Sequence, residues 1–309
     1  MATQAIERKD PQDGMKFSRN RLSFQAIDPV RLPDYPGSAW RGALGHALLR
    51  QTCLTSQHDC PVCAVRRDCD YATLFEPTLP PSADPDARRR YRDPPRPYVL
   101  HIPWSHAGNI PPGGGYSLEF TLFGEAVDRC PDFIQALAEA AAGGIGAGQG
   151  RLSLKRVQPL PIPNCPAPPT ADHILTLLTP LRLKHRGRLV RPQDLNLVPI
   201  AQALLRRVPW LMPTLTFDPG TALDEAGRCP ISPHDLRWKD WQRYSSRQKN
   251  YQKHGGVLGQ LRLPAPAAHI PHLWPLLWWG QYTHAGKGAV MGLGAYRVRL
   301  DCGAGHQFI

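Results

Sequence analysis

Apolar and polar positions along this chain follow two periods, and the order in which they alternate predicts its architecture. Arg21-Leu22-Ser23-Phe24-Gln25-Ala26-Ile27 alternates residue by residue, the period of a half-buried strand. After a turn from Pro29 to Pro36, Trp40, Ala43, Leu44, Ala47 and Leu48 recur at helical spacing, with Ser38 as a plausible N-cap. Residues 98–102 and 116–123 read as strands, 131–142 as an alanine-rich helix, and 143–157 as a glycine loop feeding a strand. Residues 159–170 hold many prolines and read as a linker. The order then repeats: a strand over 173–183, a helix over 195–208, a strand over 256–263, a tryptophan-rich helix over 270–282, and a glycine loop leading the last strand. Strand, helix, strand pair, helix, strand is a ferredoxin-like unit. The expected fold is α+β, with two tandem ferredoxin-like (RRM-like) domains of antiparallel sheet and a C-terminal glycine-rich loop. Residues 1–158 form the first domain, with a cysteine-rich insertion near 53–95, and 171–309 the second.

The glycine loops carry the first chemical hint. Gly286, Gly288, Gly292 and Gly294 precede Tyr296-Arg297-Val298-Arg299-Leu300, and GGIGAGQGRLSLKRV from Gly143 to Val157 echoes them. Glycine permits positive φ and lets another backbone come close, which suits contact with a phosphate chain; a plain turn before an edge strand uses glycine equally well. Charge favours the phosphate reading. The chain has 37 basic and 25 acidic residues in 309, a net +12, and such a balance usually meets a polyanion, most often nucleic acid. No apolar run is long enough to span a membrane and the N-terminus lacks a signal-peptide core, so a cytoplasmic protein is expected.

Residues 237–256 sharpen this. Arg237, Lys239, Arg243, Arg247, Lys249 and Lys253 interleave with Trp238, Trp241, Tyr244 and Tyr251. Cations neutralise phosphates while aromatic faces stack on unpaired bases, although a solvated charged face with aromatics tucked beneath it has the same pattern. Lys287, inside the second glycine loop, is a further phosphate ligand candidate. His284, just before the loop, suits RNA contact or a ring hydrogen bond that holds the loop. Residues 88–92 are basic and read as an exposed loop. Cys53, Cys60, Cys63 and Cys69 lie within 17 residues, a spacing that can close a structural zinc site, with free thiols as the other reading.

Taken together, THAGKGAVMGLGAYRV, RYSSRQ…GGVLGQL, and LPDYPGSAWRGALGHAL resemble the CRISPR-associated endoribonuclease that cuts precursor CRISPR RNA. That is the sixth numbered Cas protein family, in the RAMP superfamily. The resemblance implies cleavage at the base of a CRISPR repeat hairpin without a catalytic metal. A 2′-hydroxyl attacks the adjacent phosphorus, giving a 2′,3′-cyclic phosphate and a 5′-hydroxyl. It also implies retention of the crRNA hairpin and association with other Cas subunits of a class 1 effector complex. A histidine on or near the first helix often serves in catalysis in this family; the matching residue is His46, with Tyr35 and Arg41 as its candidate partners. A non-catalytic crRNA-binding or scaffolding subunit of the same superfamily is the alternative.

Overall fold

The computed structural model describes residues 16–55, 59–79, 83–104, 108–168, 170–245, 250–264 and 270–300. Its first half runs β1 (Phe17–Ala26), β2 (Val30–Leu32), α1 (Gly37–Thr52), α2 (Asp70–Phe75), α3 (Pro85–Arg90), β3 (Tyr98–His101), β4 (Gly108–Ile110), β5 (Gly115–Phe123), α4 (Cys130–Ala142) and β6 (Leu152–Pro159). The second runs β7 (His173–Leu181), β8 (Lys184–His185), β9 (Arg188–Leu189), α5 (Leu197–Leu211), α6 (Pro219–Arg228), β10 (Ser232–Ser245), β11 (Asn250–Leu263), α7 (Leu273–Thr283) and β12 (Tyr296–Leu300).

Two antiparallel four-stranded sheets result, ordered β3-β5-β1-β6 and β10-β11-β7-β12. Counting the main strands of each half from one to four, both orders read two-three-one-four, the ferredoxin-like order. In β1 the alternation is realised as expected: Leu22, Phe24 and Ala26 are buried while Arg21 and Gln25 are exposed. That buried face packs with Trp40, Leu44, Ala47 and Leu48 of α1 and with Phe133, Ala136 and Leu137 of α4. Leu175, Leu177 and Leu181 of β7 pack likewise with Ile200, Leu204 and Val208 of α5 and with Leu273, Leu276 and Leu277 of α7.

Sequence patterning misjudged some local elements. Residues 237–256 form much of a long hairpin: Trp238 pairs with Val257 and Trp241 with His254 in one β10–β11 ladder. The basic 88–92 segment is not wholly loop, because Asp84 caps α3 by accepting from the Ala87 amide at 2.7 Å. The two halves are also packed together. Val99 of β3 and Phe123 of β5 lie in the apolar core of the second half. Arg206 donates to the Asp93 carbonyl at 3.2 Å, and the Trp210 indole donates to the Pro95 carbonyl at 2.9 Å.

The glycine echo has a structural counterpart. In the first loop the Ile145 amide donates to the Gly150 carbonyl and the Ala147 amide to the Arg31 carbonyl, at 2.9 and 3.2 Å. In the second, the Ala285 amide donates to Gly294 and the Lys287 amide to Arg182, at 3.0 and 2.9 Å. Each loop thus grips the chain just after its half's opening strand, Arg31 and Arg182 occupying matching places. Gly294 has φ +70° and a Cβ there would collide with the Ala285 carbonyl, whereas Gly42 on α1 has open space where a Cβ would go. We therefore expect Gly294→Ala to destabilise the protein by about 2 kcal/mol or more. Gly42→Ala should be neutral or stabilise by about 0.5–1 kcal/mol. Denaturant midpoints for the two variants check this, and equal shifts would contradict it.

Candidate RNA-processing site

The second glycine loop is the element that joins the halves. Between its two anchors it reaches across to the first half, where the Tyr35 hydroxyl donates to the Met291 carbonyl at 2.5 Å. A Cβ on Gly37, the first residue of α1, would collide with the same carbonyl. Gly292 has φ +89° and lies close to the Leu100 carbonyl of β3 and the Tyr35 hydroxyl. On its own side the loop is held by Thr179, whose hydroxyl donates to the Gly292 carbonyl at 2.7 Å and accepts from the Ala295 amide at 2.9 Å. The close approaches that these glycines permit are therefore to the protein's own backbone. Gly292 and Gly294 are buried and Gly286 and Gly288 half-buried, where the sequence reading set all four toward a phosphate chain. Lys287 alone of the expected loop ligands projects as an exposed cation.

His284 is 0% exposed, and of the two roles its sequence position suits, its ring makes a hydrogen bond within the protein. It terminates α7 with φ 59° and ψ 158°, a conformation that L residues rarely hold. Its Nε2 lies 2.9 Å from Nδ1 of His101 on β3, and Nε2 of His101 lies 2.9 Å from the Thr121 hydroxyl. One imidazole donates and the other accepts, so the pair is a further bond between the halves. Arg207 adds another, donating to the Thr283 carbonyl at 2.5 Å and to the Tyr98 carbonyl at 3.5 Å. His101 and Arg207 carried no sequence motif; only the fold brings them to His284.

Tyr35 is 3% exposed, stacked on Trp104 at 5.2 Å and tilted against Trp241 at 6.1 Å. Burial raises its phenol well above the usual range, so it stays protonated as the donor to Met291. Arg41 is held with its guanidinium over the Phe75 ring at 5.0 Å. His46 is exposed. Ser38, Gly42 and His46 share one stripe of α1 at four-residue spacing, and the stripe is open at Gly42. The structure thus does not cluster His46, Tyr35 and Arg41: Tyr35 belongs to the loop joint and Arg41 to the α2 contact.

On the β10–β11 hairpin, Arg237, Lys239 and Lys253 are exposed. The ammonium of Lys239 lies 5.9 Å over Trp104, and Arg182 lies 5.9 Å over Trp241. Trp241 is 5% exposed and packs beside Tyr35, so it serves the joint instead of offering a free face. Arg247 and Lys249 lie outside the described residues, as do the side chains of Arg243 and Tyr244.

Cys53 closes α1, Cys69 caps the start of α2, and Cys60 and Cys63 flank a short turn between them. All four line one small cavity of about 20 Å³. Burial pushes the Cys60 thiol up, aided by Glu76, Cys69 and Cys53. Among the described residues no three His, Cys, Asp or Glu side chains stand close enough to hold a metal ion in this arrangement. No helix among the described residues is long and apolar enough to cross a membrane.

The comparisons agree with this architecture. Residues 175–296 match the family model described as CRISPR-associated endoribonuclease Cas6, and residues 15–164 match one described as an N-terminal domain. An uncharacterized protein of Archaeoglobus fulgidus is 27% identical over 136 residues, so the match spans 43% of this chain and 44% of that relative. A solved Cas6 product complex is similar with a TM-score of 0.57 at 17% identity, covering 92% of this chain and 100% of that one. Thermus thermophilus Cas6 gives 0.53 at 13%, covering 93% and 99%. A Cas6-RT-Cas1–Cas2 complex gives 0.59 at 12%, covering 96% of this chain and 30% of that one. At these identities the solved structures show the tandem ferredoxin-like fold, and the family model bears out the resemblance over the second half.

Burial holds His284 and His101 well below the usual histidine range; His101, Arg207 and Arg297 act on His284, and Arg19 and Arg297 on His101, in the same sense. Because the folded values are depressed, the unfolded chain takes up protons first as pH falls. The contribution of the neutral pair is therefore complete above about pH 6.5 and is lost on acidification toward the folded values. Unfolding free energy should fall between pH 6.5 and 5.5 with a slope of up to about 1.4 kcal/mol per pH unit for each histidine. His101→Gln should flatten that slope; an unchanged slope in the variant would mean that the pair does not carry it.

Proposed function

We propose that this chain, whose C-terminal half carries the Cas6 family domain, is a cytoplasmic endoribonuclease that cuts precursor CRISPR RNA within its repeats. The observation that carries this reading is the seam: a Cas6-type glycine loop from the second half abuts the N-terminus of the helix that presents His46. The first turn of that helix, from Gly37, offers backbone amides and the positive end of a dipole to a phosphate. The open stripe Ser38–Gly42–His46 then leaves room for an RNA backbone to lie along the helix. His46 is about 14 Å along α1 from Gly37, so RNA that touches both is gripped at two separate points.

In this reading the 2′-hydroxyl of the repeat attacks the neighbouring phosphorus and the 5′-oxygen departs. The products are a 2′,3′-cyclic phosphate and a 5′-hydroxyl, and no metal is used. His46 takes the 2′ proton or supplies one to the leaving oxygen, since imidazole can do either near neutral pH, and solvent water makes the complementary transfer. The cation for the developing phosphorane charge is Arg41, on the same helix as His46, once it leaves the Phe75 ring, while Lys287 in the loop grips phosphate at the other contact point. Tyr35 acts as a positioning residue, through Met291. Arg237, Lys239 and Lys253, together with Arg243, Tyr244, Arg247 and Lys249, hold the repeat hairpin. The two halves act as domains fixed by the loop joint, and retained crRNA links the protein to other Cas subunits of a class 1 effector. The four cysteines take one structural zinc ion after modest side-chain rotation, tying the end of α1 to the start of α2.

Incubation of labelled repeat hairpin with the protein in EDTA tests the activity: cleavage is expected, and retention without cleavage would favour a non-catalytic crRNA-binding subunit. His46→Ala should lower the single-turnover rate by about two to four powers of ten with little change in affinity. A wild-type rate in that variant would remove His46 from the mechanism. Tyr35→Phe should cost about 1 kcal/mol of stability through the lost bond to Met291, with a smaller effect on rate. For the cysteines, elemental analysis should find one zinc per chain, and Cys63→Ser should lower stability more than cleavage. Metal-free protein of unchanged stability would exclude that site.

A further inference from the structure

The hairpin of β8 and β9 has no role in the reading above, yet it is the most cationic short segment of the second half. Lys184, Arg186, Arg188 and Arg191 fall within eight residues and all are exposed. Among the described residues none of the four has a carboxylate at ion-pair distance. Elsewhere on the surface Arg151, Arg237 and Arg262 do, at 2.6, 2.6 and 2.9 Å. Leaving four like charges unpaired on one small projection costs self-repulsion, which an anionic ligand would relieve.

The backbone adds an independent sign. Lys184 pairs with Leu189 and His185 with Arg188, leaving Arg186 and Gly187 as a two-residue turn. Both turn residues are left-handed, with φ +48° and +82°. This turn matches the twist of the strands and makes a stiff hairpin, but its first position suits asparagine or glycine better than arginine. An arginine there takes a backbone conformation that side chains rarely hold. A local rule broken at an exposed cation is what a binding residue looks like.

The hairpin is also fixed in place. The Arg182 carbonyl at its base accepts from the Lys287 amide, and the Val190 amide donates to Leu183 at 3.0 Å. His185 Nδ1 meets the Gln202 side chain of α5 at 3.2 Å. The Arg191 guanidinium stacks 3.9 Å from the centre of Trp238 on β10. The arm therefore lies between the glycine loop, with its exposed Lys287, and the strand that carries Arg237 and Lys239. We propose that the β8–β9 hairpin is an RNA-backbone-binding arm, which extends the grip on the processed RNA by contacting phosphates through Arg186, Arg188 and Lys184. The inference rests on the RNA-processing reading above, and phosphate contact without base reading is the chemistry it assigns.

The test compares two double charge reversals with equal change in net charge. R186E/R188E alters the arm, while K155E/R156E alters exposed residues of β6, in the other half. Thermal melts confirm that both fold. Binding to labelled repeat RNA is then titrated from about 50 to 200 mM salt, where each lost phosphate contact lowers the log–log slope by about 0.7–0.9. The arm variant should bind at least about tenfold more weakly at the low-salt end, with a slope reduced by one to two, while the β6 variant keeps the wild-type slope. Equal weakening by the two variants would overturn the proposal, since the effect would then be overall charge. So would an unchanged slope in the arm variant, or a loss confined to phosphatidylserine vesicles with RNA binding intact. If the wild type shows no preference for repeat RNA, the processing reading fails. The same titration on an unrelated RNA of equal length then still decides whether the arm binds RNA backbone.

Discussion

The structure depends on one carbonyl, that of Met291. It lies at the tip of the second glycine loop, receives the Tyr35 hydroxyl, and sits where only a glycine at position 37 leaves room. Everything that makes this chain more than two similar domains in tandem converges there. The loop emerges from the C-terminal sheet, and Tyr35 and Gly37 lead into the first helix of the N-terminal one. Moving either partner by an ångström would break a short buried hydrogen bond and leave a carbonyl unsatisfied, at a cost of about 1–3 kcal/mol. The neighbouring His101–His284 pair and Arg207 reinforce the seam with groups that are also buried, so the joint is polar, directional and intolerant of sliding.

That specificity explains an asymmetry between the halves. Both glycine loops grip their own half in the same way, at Arg31 and at Arg182. Only the second is long enough to leave its own sheet, carrying Val290, Met291 and Leu293 toward the first half. The first loop stays local. The longer second loop therefore makes the relation of two similar units directional.

The two-period pattern made the fold legible, because strands such as β1 and helices such as α1 and α5 bury one face against a neighbour. The β10 strand was hidden by its own composition. Cations and aromatics alternate there, so burial on one face is marked by Trp241 and not by an aliphatic run. Glycine allows close approach, but the sequence does not say whose backbone approaches the loop. Tyr35 entered as a candidate partner of His46 through the family resemblance. Its hydroxyl is committed to Met291, a residue 256 positions away, and no local pattern carries that information. The His284 bond was hidden for the same reason, its partner being on β3.

The joint also bears on where chemistry can occur. His46 comes from the first half and Lys287 from the second, and each is exposed while the groups that fix its helix or loop are buried. If RNA is held by the helix of one half and the loop of the other, its placement is reproducible only when the halves cannot shift against each other. Hydrophobic packing alone would not supply this, since apolar surfaces slide at modest cost. A seam of buried, oriented hydrogen bonds does. Tyr35 and the His101–His284 pair, which a reading for catalysis would place at the substrate, are committed to this seam. They hold the surfaces that present the exposed histidine and lysine in a constant relation to one another.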